Sequence, residues 1–259
     1  MLITLTTDFG TSDHFVGAMK GVILGIATRT RIVDITHQIT PFEVNEAAFT
    51  IAEAARWFPK GTIHVVVVDP GVGTARRPIL VEAAGQRFIG PDNGVFTMIY
   101  DQGPHKVREI TNTKMMLKTV SRTFHGRDVF APAAAHLASG VAAARFGKLI
   151  GDFVRTETVQ PALLKKHRWL GSVLKVDHFG NLITNFHMRE FGKLRMRAFE
   201  ILAGAQIIRR LALTYAESGI GELVAIEGSS GFLELSANQE SAAARLGCGV
   251  GAPVELEIF

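Results

Sequence analysis

Residues able to move a proton or grip a small polar ligand gather in a few short stretches of this 259-residue chain. "TTDFGTSDHF" sets Asp8 and Asp13 around a Gly-Thr-Ser turn, and "VVVVDPGVGTARR" ends a valine run at Asp69 and follows it with Arg76 and Arg77. "SRTFHGRDVFAP" places Phe124, His125, Gly126, Arg127 and Asp128 just ahead of an alanine-rich run, and "DHFGNLITNF" brings Asp177, Phe179 and Asn181 within five residues. An acidic residue at a strand end, such as Asp8, suits ribose hydroxyls. Asp69 and Arg76 read equally as a structural ion pair bracing a tight turn and as a functional pair. His125 reads as part of a solvated helix-cap cluster or as a catalytic group. A carboxylate, an aromatic face and an amide at 177–181 form a kit for a cationic, partly apolar ligand. Ser12 is expected to cap the helix that follows it, and Asn93 in "GPDNGVF" to support a turn.

Several familiar chemistries are disfavoured. The glycines at 71 and 73 recur without G-x-x-x-x-G-K-[ST], and G-x-G-x-x-G fails because Arg76 takes the third glycine position. Asp-Phe-Gly at 8–10 stands without any other kinase element. Nine histidines show no H-E-x-x-H spacing, and the single Cys248 excludes an intrachain disulfide and a multi-cysteine metal site. A reducing, intracellular setting fits that cysteine usage best.

These stretches must be held by regular elements. "LITLTT", "RIVDIT" and "TIHVVVVD" read as strands, and "DHFVGAMKGVILGIA" and "EVNEAAFTIAEAARWF" as the helices between them. In the first helix Phe15, Met19, Val22, Ile23 and Ile26 share one face. This order predicts an α/β domain over 1–155 with a central, mostly parallel sheet. A connector is expected at 156–168. The remainder, 169–259, is expected to be a smaller all-β, barrel-like domain in which only 240–247 looks helical. With 47% hydrophobic residues the chain is globular, and its net charge of +4 is scattered, so no nucleic-acid face is expected. Neither a secretion signal nor a membrane span is expected, which predicts a soluble, cytoplasmic protein.

Taken together, "TDFGTSDHFVGAMKG", "HVVVVDPGVGTARRPI", "GPDNGVF", "TFHGRDVFAPAAAHLA" and "DHFGNLITN" occur in an order and at separations similar to a known family. The chain resembles the S-adenosyl-L-methionine hydroxide adenosyltransferases, relatives of the fluorinase and chlorinase, over nearly its whole length. The resemblance implies hydrolysis of S-adenosyl-L-methionine to adenosine and L-methionine. It also implies no metal or second organic cofactor, and a homotrimer with active sites at subunit interfaces. Asp69, Arg76 and His125 match the hydroxide-using branch and are implied to act on the nucleophile. Asp8 is implied to hold the ribose diol and Asp177 the methionine amino group. Asn181 and Ser229 are implied to bind the remaining polar edge, and Phe42, Phe124, Phe179 and Tyr215 to line the pocket. Asp13 and Gly126 belong to the same matched motifs and count among the substrate-binding residues. Ser230 and Ala237 depart from the pattern, standing where the fluorinase has arginines, which puts carboxylate recognition in doubt. Halide transfer from the same substrate and a non-catalytic sensor of adenosine or S-adenosylmethionine are the competing readings.

Overall fold

A computed structural model describes residues 1–156 and 160–259, and its contacts divide the chain into two compact units, Met1–Thr158 and Val159–Phe259. In the first unit, strands β1 (Leu2–Thr7), β2 (Arg31–Thr36) and β3 (Ile63–Val67) alternate with helices α1 (Phe15–Ile26) and α2 (Val44–Ala55). β4 (Pro78–Ala83), β5 (Gln86–Pro91), the short helix α3 (Thr97–Tyr100), β6 (His105–Glu109), α4 (Ala131–Ala138) and β7 (Leu149–Ile150) follow. The seven strands form one sheet in the order β2-β1-β3-β5-β4-β6-β7.

Every residue of β3 is buried, and successive side chains enter different cores. Ile63, Val65 and Val67 pack with Met19 and Ile23 of α1 and with the alanines of α4, while Val66 packs with Ala47 and Ile51 of α2. Two-sided burial explains why the strand has no polar alternation. Phe15, assigned from its helical spacing to the buried face of α1, is more exposed than that reading requires, and Val16, Met19 and Ile23 carry the core contact.

The mostly parallel sheet expected from the sequence needs correction. β2, β1, β3 and β5 pair in parallel, but β5-β4, β4-β6 and β6-β7 are antiparallel. The change of direction is made by a tight β4–β5 turn in which Ala84 and Gly85 both have positive φ, 51° and 75°. Two left-handed residues in a two-residue loop match the right-handed twist of a hairpin.

The second unit is β-rich. It comprises β8 (Ala162–Lys165), β9 (Arg168–Val176), β10 (Leu182–His187), β11 (Phe199–Ala203), β12 (Gln206–Ile208), β13 (Leu211–Ala212), β14 (Leu223–Glu227), β15 (Phe232–Ala237) and β16 (Pro253–Ile258). The sheet runs β12-β11-β16-β9-β10-β15-β14-β13, with β8 added on β9. Its end strand β12 approaches β14, so the sheet curls into a half-barrel whose ladder remains open. Two short helices, α5 (Met188–Phe191) and α6 (Ala242–Leu246), make it mixed and not all-β; α6 lies where a helix was expected, and α5 was not foreseen. Of the expected connector, residues 157–159 lie outside the described residues, and 162–165 form β8, which hairpins onto β9 through Lys166 and His167. No helix among the described residues is long and apolar enough to cross a membrane.

Candidate active site

The first unit holds a cavity of about 310 Å³ whose lining includes Asp8, Phe42, Asp69, Phe124, His125 and Gly126. These residues come from four segments, three of them after the parallel strands β1, β2 and β3. Asp8 follows β1, Phe42 precedes α2, Asp69 follows β3, and 124–126 lead into α4. Carboxyl-end loops of an α/β sheet are the expected place for a ligand.

The turn after β3 folds Arg76 back onto Asp69. Arg76 Nε donates to Asp69 Oδ1 at 3.0 Å and Nη2 donates to Oδ2, with the side chains only 7% and 5% exposed. Nη2 also lies 3.0 Å from His125 Nδ1. A guanidinium can only donate, so Nδ1 accepts and the imidazole carries its proton on Nε2. Burial first, and Arg76 second, hold His125 below the usual histidine range, which favours this neutral form. Arg76 also lies over the Phe130 ring at 5.3 Å. Its remaining buried nitrogen, Nη1, finds no hydrogen-bond partner among the described residues. The docking depends on Gly73, at φ 76°, where an added Cβ would stand 2.2 Å from the Arg122 carbonyl oxygen. That close approach seats the 69–76 turn against the segment carrying His125.

Asp8 accepts from the Phe42 amide at 3.0 Å, and Phe42 adopts a left-handed φ of 71° while its ring is 70% exposed. Burial raises the Asp8 carboxyl above the usual range, and the Asp69 charge adds to this, while the Phe42 amide opposes it. Phe9, Phe15 and Phe124 meet edge to face at 5.1–5.9 Å and supply an apolar wall. Phe15 thus belongs to the cavity as much as to the helix core, and periodicity alone could not separate the two.

The second unit has its own cavity of about 580 Å³, lined by Asp177, Phe179, Asn181 and Tyr215 together with residues 237–241. Asp177 accepts from its own turn: the Phe179 and Asn181 amides at 2.9 and 2.8 Å, and Asn181 Nδ2 at 2.8 Å. Gly180, at φ 82°, brings that turn against Ser241, where a Cβ would meet Oγ at 2.1 Å. Burial pushes the Tyr215 phenol up to about 12, and its hydroxyl donates to Glu234 at 3.3 Å.

Two family models match the chain. The SAM hydroxide adenosyltransferase N-terminal domain aligns with residues 3–147, and the C-terminal domain of the same name with residues 171–255. The chain belongs to the SAM hydroxide adenosyltransferase family. A protein of Salinispora arenicola named (R)-S-adenosyl-L-methionine hydrolase is 42% identical over 70% of each chain. One of the same name from Thermus thermophilus is 36% identical over 96% of this chain and 97% of its own. Relatives named fluorinase match at 28–30% identity. A crystal structure of an uncharacterized conserved protein from Thermotoga maritima superposes with a TM-score of 0.90 at 35% identity, over 99% of both chains.

Within this family chain, the structure brings Asp8, Phe42, Asp69, Phe124, His125 and Gly126 to one cavity and Asp177, Phe179, Asn181 and Tyr215 to another. Asp13 is exposed and lines neither, and Ser229 sits in the turn between β14 and β15, also outside both linings. Ser12 does not cap α1: His14 holds the N-cap position without a side-chain bond. Asn93 braces its turn, donating to the Val68 carbonyl at 2.9 Å and accepting from the Val95 amide at 3.2 Å. Sequence reading passed over Phe9 as cavity wall, and its position between Asp8 and Gly10 was the available signal; residues 237–241 lie in the stretch that the resemblance matches to a substrate-binding loop, and they line the second cavity. Among the described residues no group of three or more His, Cys, Asp or Glu is placed to hold a metal.

Proposed function

We propose that this chain hydrolyses S-adenosyl-L-methionine by in-line attack of water on ribose C5′, giving adenosine and L-methionine. The observation that carries the reading is a buried Asp69–Arg76–His125 cluster in the wall of a cavity that also carries the Asp8 carboxylate. The water oxygen forms a bond to C5′ as the C5′–S bond breaks. That electron pair leaves on sulfur, turning a sulfonium into the neutral thioether of methionine. Free water, with a pKa of about 15.7, is a poor nucleophile. Asp69, already held by two donors from Arg76, is a well-oriented acceptor. It holds the water and takes the proton late, once the new C–O bond has made that proton acidic. Neutral His125 accepts from Arg76 and keeps the guanidinium fixed on Asp69. Attack by neutral water spreads the sulfonium's positive charge over oxygen, carbon and sulfur, and the aromatic wall of Phe9, Phe15 and Phe124 favours that dispersed charge over a solvated ground state.

In the same reading Asp8 receives the ribose hydroxyls, with Asp13, Phe42, Phe124 and Gly126 completing that end. Asp177, Phe179, Asn181, Tyr215 and Ser229 serve the methionine and adenine groups. Neither metal nor organic cofactor takes part. The working form is a cytoplasmic homotrimer, which light scattering would test. A halide is a worse fit than water, because the Asp69 oxygens are acceptors only and repel an anion while holding a proton donor. Chromatography of S-adenosyl-L-methionine incubated with pure protein, EDTA and chloride decides the question. Adenosine and methionine are expected. A 5′-chloro-5′-deoxyadenosine product would replace this reading with halide transfer, and tight binding with no product would replace it with a sensor.

A further inference from the structure

Arg127 and Asp128, just behind His125, have no part in the chemistry above, yet they are hydrogen-bonded into the loop that carries it. Residues Gly126–Phe130 form one turn of π-helix ahead of α4, and within it Asp128 is fully buried. Single π-turns inside helices recur at functional sites. Arg127 donates to Asp128 from Nε at 2.6 Å and Nη2 at 3.1 Å, and the Ser121 amide donates to Oδ2 at 2.8 Å. Ser121 in turn accepts on Oγ from the Phe124 amide at 3.0 Å, and the Asp128 amide donates to the Phe124 carbonyl at 3.1 Å. The guanidinium of Arg127 covers the Phe124 ring at 5.0 Å. The bonds therefore close a loop around 121–128 and fix both cavity-facing rings, Phe124 and His125.

The link to His125 runs through the backbone of this loop. Phe124, held at its amide by Ser121 Oγ and at its carbonyl by the Asp128 amide, is followed directly by His125, whose Nδ1 accepts from Arg76 at 3.0 Å. Burial alone would push the Asp128 carboxyl up, yet its bonds to Arg127 and Ser121 hold it below the usual carboxylate range, so it stays an anion in this role.

We propose that Asp128, paired with Arg127, is a positioning residue of the reaction centre: it fixes Ser121 and through it the Phe124 backbone, which holds His125 with the Nδ1 lone pair turned to Arg76, and so keeps Arg76 on Asp69. Asp128 touches no reacting atom. The inference rests on the hydrolytic reading of the same site.

The test is a double-mutant cycle on turnover, with calorimetric affinity for S-adenosyl-L-methionine and melting temperature measured on each protein. Misplacement of a catalytic group by an ångström costs up to about 10²-fold, so Asp128→Asn should lower kcat by about tenfold or more with affinity nearly unchanged. In the His125→Ala background the same change should add little, because its route to Arg76 is already gone. Arg127→Gln, at a half-exposed position, should give a smaller loss of kcat with the same non-additivity, and it carries the test if Asp128→Asn fails to fold. Additive losses, losses that follow the unfolded fraction, or full kcat in a folded variant would overturn the proposal. Absence of hydrolysis by the unsubstituted protein would instead overturn the function itself.

Discussion

Arg76 and Arg77 are neighbours in sequence, and each grips an aspartate through Nε and Nη2, but the two clusters end in opposite states. Arg77 holds Asp92 at 2.9 and 2.6 Å, donates from Nη1 to the Asp152 carboxylate and from Nη2 also to the Asp152 carbonyl, while the Val154 amide fills the second Asp92 oxygen. That cluster is saturated and stitches residues 152–154 to the end of β5. Arg76 keeps a buried nitrogen without a partner among the described residues, its aspartate lines a cavity, and a second carboxylate, Asp8, sits nearby at a raised pKa. Buried polar groups are normally satisfied, so incompleteness at one of two matched ion pairs distinguishes a site from a brace.

The comparison is sharpest where the two clusters are cut in the same way. Asp69→Asn should leave the protein folded and lower turnover by about 10²-fold or more, as loss of a base or of a fixed charge in a catalytic site does. Steady-state kinetics beside a melting curve reads both quantities. A variant with near-normal turnover would return Asp69 to the role of a brace. The matching change in the saturated cluster, Asp92→Asn, should do the reverse. It removes charge-assisted bonds on a buried group, costing about 2 kcal/mol and lowering the melting temperature by roughly 5 °C. Turnover per folded molecule should stay the same, and a kinetic effect larger than the stability loss would erase the distinction.

The smallest expected effect concerns Asp8. Burial raises its carboxyl in the folded protein above its unfolded value, so the ionised form costs stability at neutral pH, and that cost disappears as pH falls through the raised pKa. Asp8→Asn should therefore melt no lower than the parent at pH 7 while its KM for S-adenosyl-L-methionine rises. A clear fall in melting temperature would mean that the carboxylate stabilises the fold instead of burdening it.

Much of this was legible beforehand, for local reasons. The valine run of β3 could only be a doubly buried strand, and the spacing within α1 placed Met19 and Ile23 correctly in the core. Less accessible was anything decided by a turn with unusual chemistry. Ala84 takes a positive φ without being glycine or asparagine, so the hairpin that sets β4 antiparallel to β5 was not announced. His167, at φ 69°, likewise hid the β8–β9 hairpin inside a basic stretch that reads as a connector. At the site, spacing could bring Arg76 near Asp69 but could not choose between brace and reaction centre. That choice depends on Gly73 meeting the Arg122 carbonyl, a contact across 49 residues of sequence. The π-turn is similarly invisible to a pattern search tuned to a period of 3.6, although Gly126, Arg127 and Asp128 stand in one of the stretches that suggest chemistry.

Isotope tracing tests the central claim most directly. Pure protein is incubated with S-adenosyl-L-methionine in ¹⁸O-enriched water, and the nucleoside is analysed by mass spectrometry. Attack of water on C5′ in the cavity of the first unit predicts adenosine carrying one ¹⁸O at its 5′-hydroxyl, formed alongside methionine and lost in Asp69→Asn. Unlabelled adenosine, or labelled adenosine formed at an equal rate by Asp69→Asn, would contradict the account.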